Sequence, residues 1–175
     1  MIRKIFFSVL IIILMTMNFN LQSKDLTEMD RFKIIETMNK YAIGIDTKDY
    51  LLFRSIFLDD VKVKVIFDPN WREEGEVSFN SKEDWVAYVK ESIDQYRATQ
   101  HMLGNPMISF DGEIAVVRTD LQATHYYIDN PEVKTVLWGF YETHMVKDQN
   151  WKIIKHILTS ICLLYTSPSP RDDEL

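Results

Sequence analysis

The second half of the chain carries a nearly continuous β pattern, and this pattern limits the possible folds more than any other feature. From Arg97 onward, long apolar stretches are separated only by short turn signals at 111–112, 129–131 and 148–150. Strands joined by turns this short pair antiparallel with the next strand along the chain. The sequence therefore predicts an antiparallel meander of long strands.

The strand predicted over 113–127 has one apolar face and one polar face. Ala115, Val117, Leu121 and Ala123 lie at odd positions, whereas Arg118, Asp120, Gln122 and Thr124 lie at even ones. Side chains alternate between the two faces of a strand, so His125 belongs to the apolar face. The following strand, 133–146, is apolar on both faces, and its pattern does not show which face is the interior.

Two helices are predicted before the first strand. Apolar residues recur every three or four positions over 25–45, which is typical of a helix with one buried stripe. That stripe consists of Met29, Phe32, Ile35, Met38, Ala42 and Ile45. Asp46 and Thr47 suit a helix end, so Asp46 is expected where the chain passes to the next element. A second, short helix is predicted to start at Asp49.

Between these helices and the meander, the sequence predicts a strand, a loop or hairpin, and a third helix. Val61, Val63 and Val65 alternate with lysines, and Phe67 continues the same face, as in a half-buried strand. Turn-forming residues follow at 69–75. Ser81 and Asp84 then have the spacing of a capping box, and Trp85 begins the apolar face of the helix behind it. The predicted order is that of a single α+β domain.

The two ends of the chain are predicted to lie outside this domain. A basic start followed by an apolar run over 5–17 is typical of a signal peptide and is shorter than a membrane span. Residues 1–23 therefore predict export to the periplasm or beyond the cell, with no membrane contact after cleavage; an uncleaved amino-terminal anchor is the alternative. The string 162–172 resembles the translated transposase adapter of short-read sequencing libraries. We therefore predict that 24–161 form the native domain and that 162–175, with the single cysteine Cys162, are not native.

The charge balance excludes one large class of partner. The net charge is −6, and lysine and arginine form no block along the chain. Nucleic-acid binding relies on a basic surface, so it is not expected here. The sequence also has no glycine-rich phosphate loop and no serine in a nucleophile elbow, so neither a nucleotide cofactor nor covalent catalysis by serine is predicted.

One histidine lies in an apolar, strand-like run at the start of the meander. The run 99–105 contains His101 and breaks at Gly104. A ring at such a break is expected to point from the sheet into an enclosed space, where histidine can act as base or acid because its ordinary pKa is near 6.5. An aspartate bonded to one ring nitrogen would fix the tautomer and stabilise the imidazolium. The plainer interpretation is a core histidine with satisfied hydrogen bonds.

Three segments together resemble the SnoaL-like branch of the nuclear transport factor 2-like superfamily. They are Tyr41-Ala42-x-x-x-Asp46-x-x-Asp49, Ala98-Thr99-Gln100-His101-Met102-Leu103-Gly104-Asn105, and Gly139-Phe140-Tyr141 ahead of Trp151-Lys152-Ile153. The resemblance covers nearly all of 25–161. It implies a cone in which three helices from the amino-terminal half pack on a strongly curved, mostly antiparallel sheet and enclose a pocket. It also implies a homodimer, since dimers are common in the family.

Within this branch, the catalytic pattern that the sequence resembles is that of the scytalone dehydratases. Their motifs are similar to Asp46-Thr47-Lys48-Asp49 and Thr99-Gln100-His101-Met102-Leu103-Gly104, and their second histidine falls at His125. The resemblance implies that His101 is the base and His125 the acid, or the reverse, and that Asp46 orients one of them. Two tyrosines that hold a water in those enzymes fall at Ile45 and near Val65 here, which argues against the fungal pigment substrate.

The functional hypothesis is a cofactor-independent lyase, such as a dehydratase, or an isomerase that acts on a small, mostly apolar carbonyl compound. Removing a proton next to a carbonyl and expelling a β-leaving group needs one base and one acid. The residues predicted to bind the substrate are Tyr41, Trp85, Asn105 and Tyr141. Each of them also has a structural interpretation, the aromatic residues as core and Asn105 as part of a turn.

Two alternatives stay open. Two histidines and an aspartate could form a facial triad for iron, but neither their spacing nor the family branch favours it, and no metal site is predicted. A non-catalytic module of the same fold could hold a hydrophobic ligand or form a dimer through the outer face of its sheet. A contact between Asp46 and His101 inside a closed pocket would favour the enzyme.

Overall fold

The computed structural model describes residues 25–70, 72–73, 75–130 and 132–166. The predicted signal segment 1–23 and the last part of the predicted adapter segment, 167–175, lie outside these residues, as does Pro131 in the second predicted turn. Within the described ranges, no helix has the length and apolar character needed to cross a membrane.

Three helices and six strands make up the described fold. The helices are α1 (Glu28–Asp46), α2 (Tyr50–Ser55) and α3 (Lys82–Asp94). The strands are β1 (Phe57–Ile66), β2 (Glu76–Phe79), β3 (Tyr96–Phe110), β4 (Ala115–Tyr127), β5 (Lys134–Asp148) and β6 (Asn150–Thr166). The chain order is α1, α2, β1, β2, α3 and then β3 to β6. This confirms the predicted element order, with β1 and β2 as the hairpin around 69–75.

The six strands form one sheet in the order β2-β1-β6-β5-β4-β3. Every neighbouring pair is antiparallel except β1 and β6, which are parallel. β-Bulges interrupt the register within β3 and between β5 and β6, and bulges bend a sheet by increasing its local twist. The helices pack on the concave side of this curled sheet, so the predicted α+β cone is confirmed.

Each helix begins at a residue whose side chain accepts a backbone N–H of the first turn. Thr27 accepts from Asp30, Asp49 from Leu52, and Ser81 from Asp84. These bonds satisfy amides that have no partner inside a helix, and each such cap typically stabilises a helix by about 1 kcal/mol. The predicted starts at Asp49 and Ser81 are confirmed.

The buried face of α1 differs from the predicted stripe in the first turns. Met29 and Phe32 are 60% and 64% exposed, whereas Ile34, Met38 and Tyr41 are buried. Asp30 turns the helix this way, because its carboxylate accepts hydrogen bonds at 3.1 Å from Trp151 Nε1 and at 2.7 Å from Lys147 Nζ. A paired carboxylate therefore takes the inward position that the apolar pattern gave to Met29 and Phe32.

The final strand is longer than predicted. The β pattern was expected to stop at Ile161, but β6 continues to Thr166 and pairs with the start of β5 at Lys134. The first residues of β5 have backbone groups available on that side, and residues 162–166 satisfy them. The non-native origin of 162–175 stays a prediction.

Candidate active site

The end of α1 is held against the start of β3. Thr47 Oγ1 donates to the carbonyl oxygen of Ile43 at 2.7 Å, and Lys48 then adopts a left-handed backbone with φ of 55° that ends the helix. Lys48 Nζ donates to the carbonyl oxygen of Tyr96 at 2.9 Å. The last helical residue, Asp46, is thereby fixed beside the strand that carries His101.

Asp46 makes three hydrogen bonds to β3. Its Oδ1 atom lies 2.6 Å from His101 Nδ1 and accepts from Thr99 Oγ1 at 2.9 Å, while its Oδ2 atom accepts the backbone N–H of His101 at 2.7 Å. The side chains of His101 and Asp46 are 7% and 21% exposed. Both oxygens of the carboxylate therefore hold the same residue, one through its ring and one through its backbone.

These bonds determine the ionisation of Asp46 and the tautomer of His101. Burial acts to raise the pKa of Asp46, but the hydrogen bonds from His101 and Thr99 outweigh it and hold that pKa below its ordinary value. An ionised carboxylate can only accept, so the proton of this bond lies on His101 Nδ1, and in the neutral ring Nε2 carries the lone pair. The ring therefore has one nitrogen anchored and one nitrogen available as a base.

His125 is the second ring of the pair. It lies on β4 with its ring centroid 5.5 Å from that of His101, and the two planes are nearly perpendicular at 88°. Burial, together with the nearby His101 ring, lowers the pKa of His125 to about 4 in spite of an opposing effect of Asp46. At pH 7 the His125 ring is therefore neutral. The sequence did not decide which histidine Asp46 contacts, and the structure shows that it is His101.

Both histidine rings line a cavity of about 420 Å³ between the helices and the sheet. Ile45, Val65, Leu121, Ala123, Leu137 and Leu158 form its aliphatic wall. Tyr41, Trp85, Tyr88, Tyr96, Tyr127 and Tyr141 supply most of its aromatic surface. A cavity of this size and composition fits a small, mostly apolar molecule that carries a few polar groups.

Three of the four predicted substrate-binding residues, Tyr41, Trp85 and Tyr141, line this cavity, and Asn105 does not. Asn105 lies in the bulge of β3 with φ of 49°, and its Nδ2 atom donates to Asp120 Oδ2 at 2.8 Å at an exposed position. The bulge turns this side chain away from the cavity. The alternation of odd and even positions could not predict this orientation, because a bulge interrupts the alternation of side chains along a strand.

The sequence interpretation missed four tyrosines of the cavity, Tyr88, Tyr96, Tyr127 and Tyr165. Tyr127 has the same odd parity as His125 on β4, so the alternation that placed His125 could also have found it. Tyr96 could not be found in this way, because an irregularity between Tyr96 and Ala98 separates it from the alternation of His101. Burial, followed by the effect of the neighbouring Tyr127, raises the pKa of Tyr96 to about 12, so the Tyr96 phenol is a neutral hydrogen-bonding group.

The other two histidines lie outside the cavity. His156 is fully buried, and its Nδ1 atom is 2.9 Å from Thr143 Oγ1. Burial lowers the pKa of His156 to about 3, so it is a neutral core residue. His144 Nε2 lies 2.8 Å from Glu142 Oε1. No three histidine, cysteine or acidic side chains come together as a metal-binding group in the described part of the chain.

Comparison with known proteins gives a family and a set of similar structures. The model of the SnoaL-like domain matches residues 29–156. Protein Kfla4162 of Kribbella flavida is 23% identical, with a TM-score of 0.66 over 78% of this chain and 94% of that one. A scytalone dehydratase-like protein of Novosphingobium aromaticivorans is 21% identical, with a TM-score of 0.67 over 81% and 90%.

A third similar structure is named as a dehydrochlorinase, whereas the second is named as a dehydratase. The hexachlorocyclohexane dehydrochlorinase LinA-type3 of Novosphingobium barchaimii is 15% identical, with a TM-score of 0.67 over 82% of this chain and 97% of that one. Comparison with curated protein sequences gives no match. At these identities, the structural neighbours establish the shared fold.

Proposed function

The chain belongs to the SnoaL-like domain family, and on this basis we propose that it is a cofactor-independent lyase or isomerase in which His101 and Asp46 remove a proton from carbon. The observation that carries this proposal is the pair of bonds from one carboxylate to the ring and the backbone of His101. A core histidine needs no such arrangement. A general base needs it, because the ring must present one nitrogen in a fixed direction.

The proposed reaction starts at His101 Nε2. This nitrogen accepts a proton from a carbon next to a carbonyl, and the ring becomes an imidazolium. Asp46 stabilises that charge through the bond to Nδ1. Such acid-base catalysis typically contributes on the order of a hundred- to ten-thousand-fold to the rate.

His125 has a different part in this proposal from the one suggested by the resemblance alone. A ring whose pKa is about 4 is neutral at pH 7 and has no acidic proton to give up. We therefore assign it a hydrogen bond to the leaving group or to the substrate. The proton that His101 takes from carbon is the proton that it returns, to the leaving group in an elimination or to another carbon in an isomerisation.

Two features support an elimination on an apolar substrate. Most of the cavity wall is aliphatic and aromatic, and the two histidines lie near Ala123. The names of two structural neighbours, a scytalone dehydratase-like protein and a dehydrochlorinase, both denote elimination. A small carbonyl compound with a β-leaving group is the substrate class we propose.

Proton removal can be tested without knowing the natural substrate. Cyclic ketones incubated with the protein in D₂O are followed by NMR for exchange of the α-hydrogens, and β-hydroxy ketones are followed for the absorbance of the enone. His101→Ala is expected to lower both rates by about a hundredfold or more. His144→Ala, a matched change outside the cavity, is the control. Unchanged exchange in the His101 variant would exclude the proposed base.

A second candidate is a non-catalytic module that holds a hydrophobic ligand. The size and apolar wall of the cavity favour it, since these properties serve binding as well as catalysis. The same experiment separates the two candidates. A module would bind aromatic ketones, seen as a rise in melting temperature, but would exchange none of their α-hydrogens.

A further inference from the structure

The indole of Trp85 carries a buried hydrogen-bond donor that the protein does not satisfy. Trp85 lies on α3, only 3% of the residue is exposed, and its side chain lines the cavity. Its Nε1 atom is buried and forms no hydrogen bond with any residue that the structure describes. Buried donors in folded proteins nearly always have a partner, so such an N–H group needs an explanation.

Among the described residues, the rings that pack around this indole supply no acceptor. The rings of Phe79 and Phe53 lie at centroid distances of 5.4 and 6.4 Å, and neither has a polar atom. The Tyr88 ring is stacked on the indole at 5.9 Å, with only 20° between the planes. The His156 ring lies 6.5 Å away, but its Nε2 atom and Trp85 Nε1 do not bond to each other. The cavity is therefore the space from which an acceptor can reach Nε1.

This donor and the proposed base lie on opposite sides of the cavity. Trp85 packs on Phe79 of β2 and lies near His156 of β6. His101 lies on β3, at the edge of the sheet opposite β2 and three strand spacings from β6. Neighbouring strands are about 4.8 Å apart, so β6 and β3 are separated by roughly 14 Å along the curled sheet. A ligand that reaches both groups must be longer than one six-membered ring.

The wall between the two groups suits an apolar ligand body. Val65, Leu158 and Leu137 line it from β1, β6 and β5. Aliphatic side chains such as these contact carbon and offer no partner to a charge. The cavity volume of about 420 Å³ has room for a ligand of two rings. Polar groups on such a ligand are therefore expected at its two ends.

We propose that Trp85 Nε1 donates a hydrogen bond to an oxygen atom at the end of the substrate that is remote from the reacting carbon. The substrate is an elongated ketone with an α-carbon at His101 and an oxygen substituent at its far end. A ligand without that oxygen leaves the Trp85 donor buried and unpaired, so this subsite discriminates against it. The identity of the reacting end rests on the proposed function, whereas the bond to Trp85 can be measured by binding alone.

Two ketones that differ by one hydroxyl group test the subsite. 4-(4-Hydroxyphenyl)cyclohexanone has an oxygen at its far end, and 4-phenylcyclohexanone has none. The wild-type protein is expected to bind the first about tenfold more tightly, measured as Kd by titration calorimetry. Trp85→Phe keeps an aromatic ring but removes the N–H group, and it is expected to bind the two ketones equally. Equal affinities in the wild-type protein would overturn the proposal.

Trp138→Phe is the matched control for the binding experiment. Trp138 lies on β5, is 36% exposed and does not line the cavity. This variant is expected to keep the preference for the hydroxyphenyl compound. Loss of the preference in Trp138→Phe as well as in Trp85→Phe would show that it does not arise from the Trp85 N–H group.

A second readout is the Nε1–H signal of Trp85 in proton–nitrogen NMR spectra of the wild-type protein. An oxygen that accepts from this group moves the proton signal downfield. The shift is expected with the hydroxyphenyl compound and not with the phenyl compound, and it does not require Trp85→Phe to fold. The same signal position in both complexes would mean that water, not the ligand, satisfies the donor, and would overturn the subsite.

Exchange of α-hydrogens in D₂O separates this proposal from the proposed function. If the wild-type protein prefers the hydroxyphenyl compound through Trp85 but exchanges no α-hydrogens of either ketone, the subsite is confirmed and the proposed function is wrong. If both ketones exchange and bind equally well, the base at His101 is supported and the subsite is wrong.

Discussion

At the scale of single residues, one carboxylate determines what His101 can do. Asp46 accepts from the ring, from the backbone N–H and from Thr99, so few orientations of the imidazole are compatible with the structure. An amide at this position could still form two of the bonds. It would, however, present an N–H group as well as an oxygen to the ring.

Asp46→Asn is expected to lower the rate of proton removal by about a hundred- to ten-thousand-fold. The amide can donate to Nδ1 and so favour the tautomer in which Nε2 carries the proton and has no lone pair. The measurement is the rate of α-hydrogen exchange at neutral pH. Asp148→Asn, at the exposed end of β5, is the matched control, and equal rates for the two variants would contradict the assignment.

His125 is expected to titrate far below an ordinary histidine. Burial holds its pKa at about 4 in the folded protein, against about 6.5 in the unfolded chain. Because the folded state binds the proton more weakly, this residue destabilises the fold as the pH falls from about 6.5 to about 4 and adds no further change below that. NMR of the ring Cε1–H during a titration checks the value, and a midpoint near 6.5 would contradict it.

The residues of the site could be predicted where short stretches of sequence identify them. Asp46 at a helix end and His125 on an apolar face follow from short-range patterns, and the match of His101 to a family motif added the partner. The sequence pattern did not reveal the bulge that turns Asn105 outward, or the bond from the backbone N–H of His101 to Asp46 Oδ2. Both depend on contacts between segments that are far apart in the chain.

At the scale of elements, the sequence predicted which segments form helices and strands, but it predicted the buried face of α1 less well. The alternation in β1 and β4 predicted their buried faces, and the caps at Asp49 and Ser81 fixed two helix starts. The face of α1 was misjudged because the buried Asp30 carboxylate, bonded to Trp151 and Lys147, took the inward position in place of two apolar residues. A hydrophobic pattern cannot show such a pair, since the partner, Lys147, lies on another element.

Gly139 marks a point where two strands approach too closely for any side chain. A Cβ atom at this position would lie 2.4 Å from the carbonyl oxygen of Thr159, next to the irregular register between β5 and β6. Gly139→Ala is therefore expected to lower the free energy of unfolding by about 1–3 kcal/mol. Urea denaturation measures the change. Gly104→Ala, where a Cβ would meet nothing within 4 Å, is the control, and equal loss in both variants would contradict the steric reason.

At the scale of the whole molecule, the cavity lies between the helices and the curled sheet and takes its wall from both. The antiparallel meander was predictable from its turns. The parallel pairing of β1 with β6 was not, because it joins the first strand to the last across most of the chain. That pairing completes the wall behind Val65 and Leu158, so the closed cavity is a property of the assembled fold.

Filling the cavity is expected to abolish ligand binding while the protein stays folded. Ala123 pairs with His101 on one side and Leu137 on the other, and its side chain lines the cavity. Ala123→Leu would place three more carbon atoms in front of the base. The rise in melting temperature caused by an aromatic ketone should disappear in this variant. It should persist in Thr124→Leu on the opposite face, and an equal rise in both variants would show that the ligand binds elsewhere.

Asp46 also binds the edge strand of the sheet, and this has a consequence for how such proteins evolve. Strand β3 is the last in the sheet, and Asp46 Oδ2 accepts the backbone N–H of His101 there. A relative without the reaction would still need the Asp46 carboxylate for its fold. It would no longer need the His101 imidazole. Relatives that have become binding proteins are therefore expected to keep an aspartate at the end of α1 and to vary first at the position of His101.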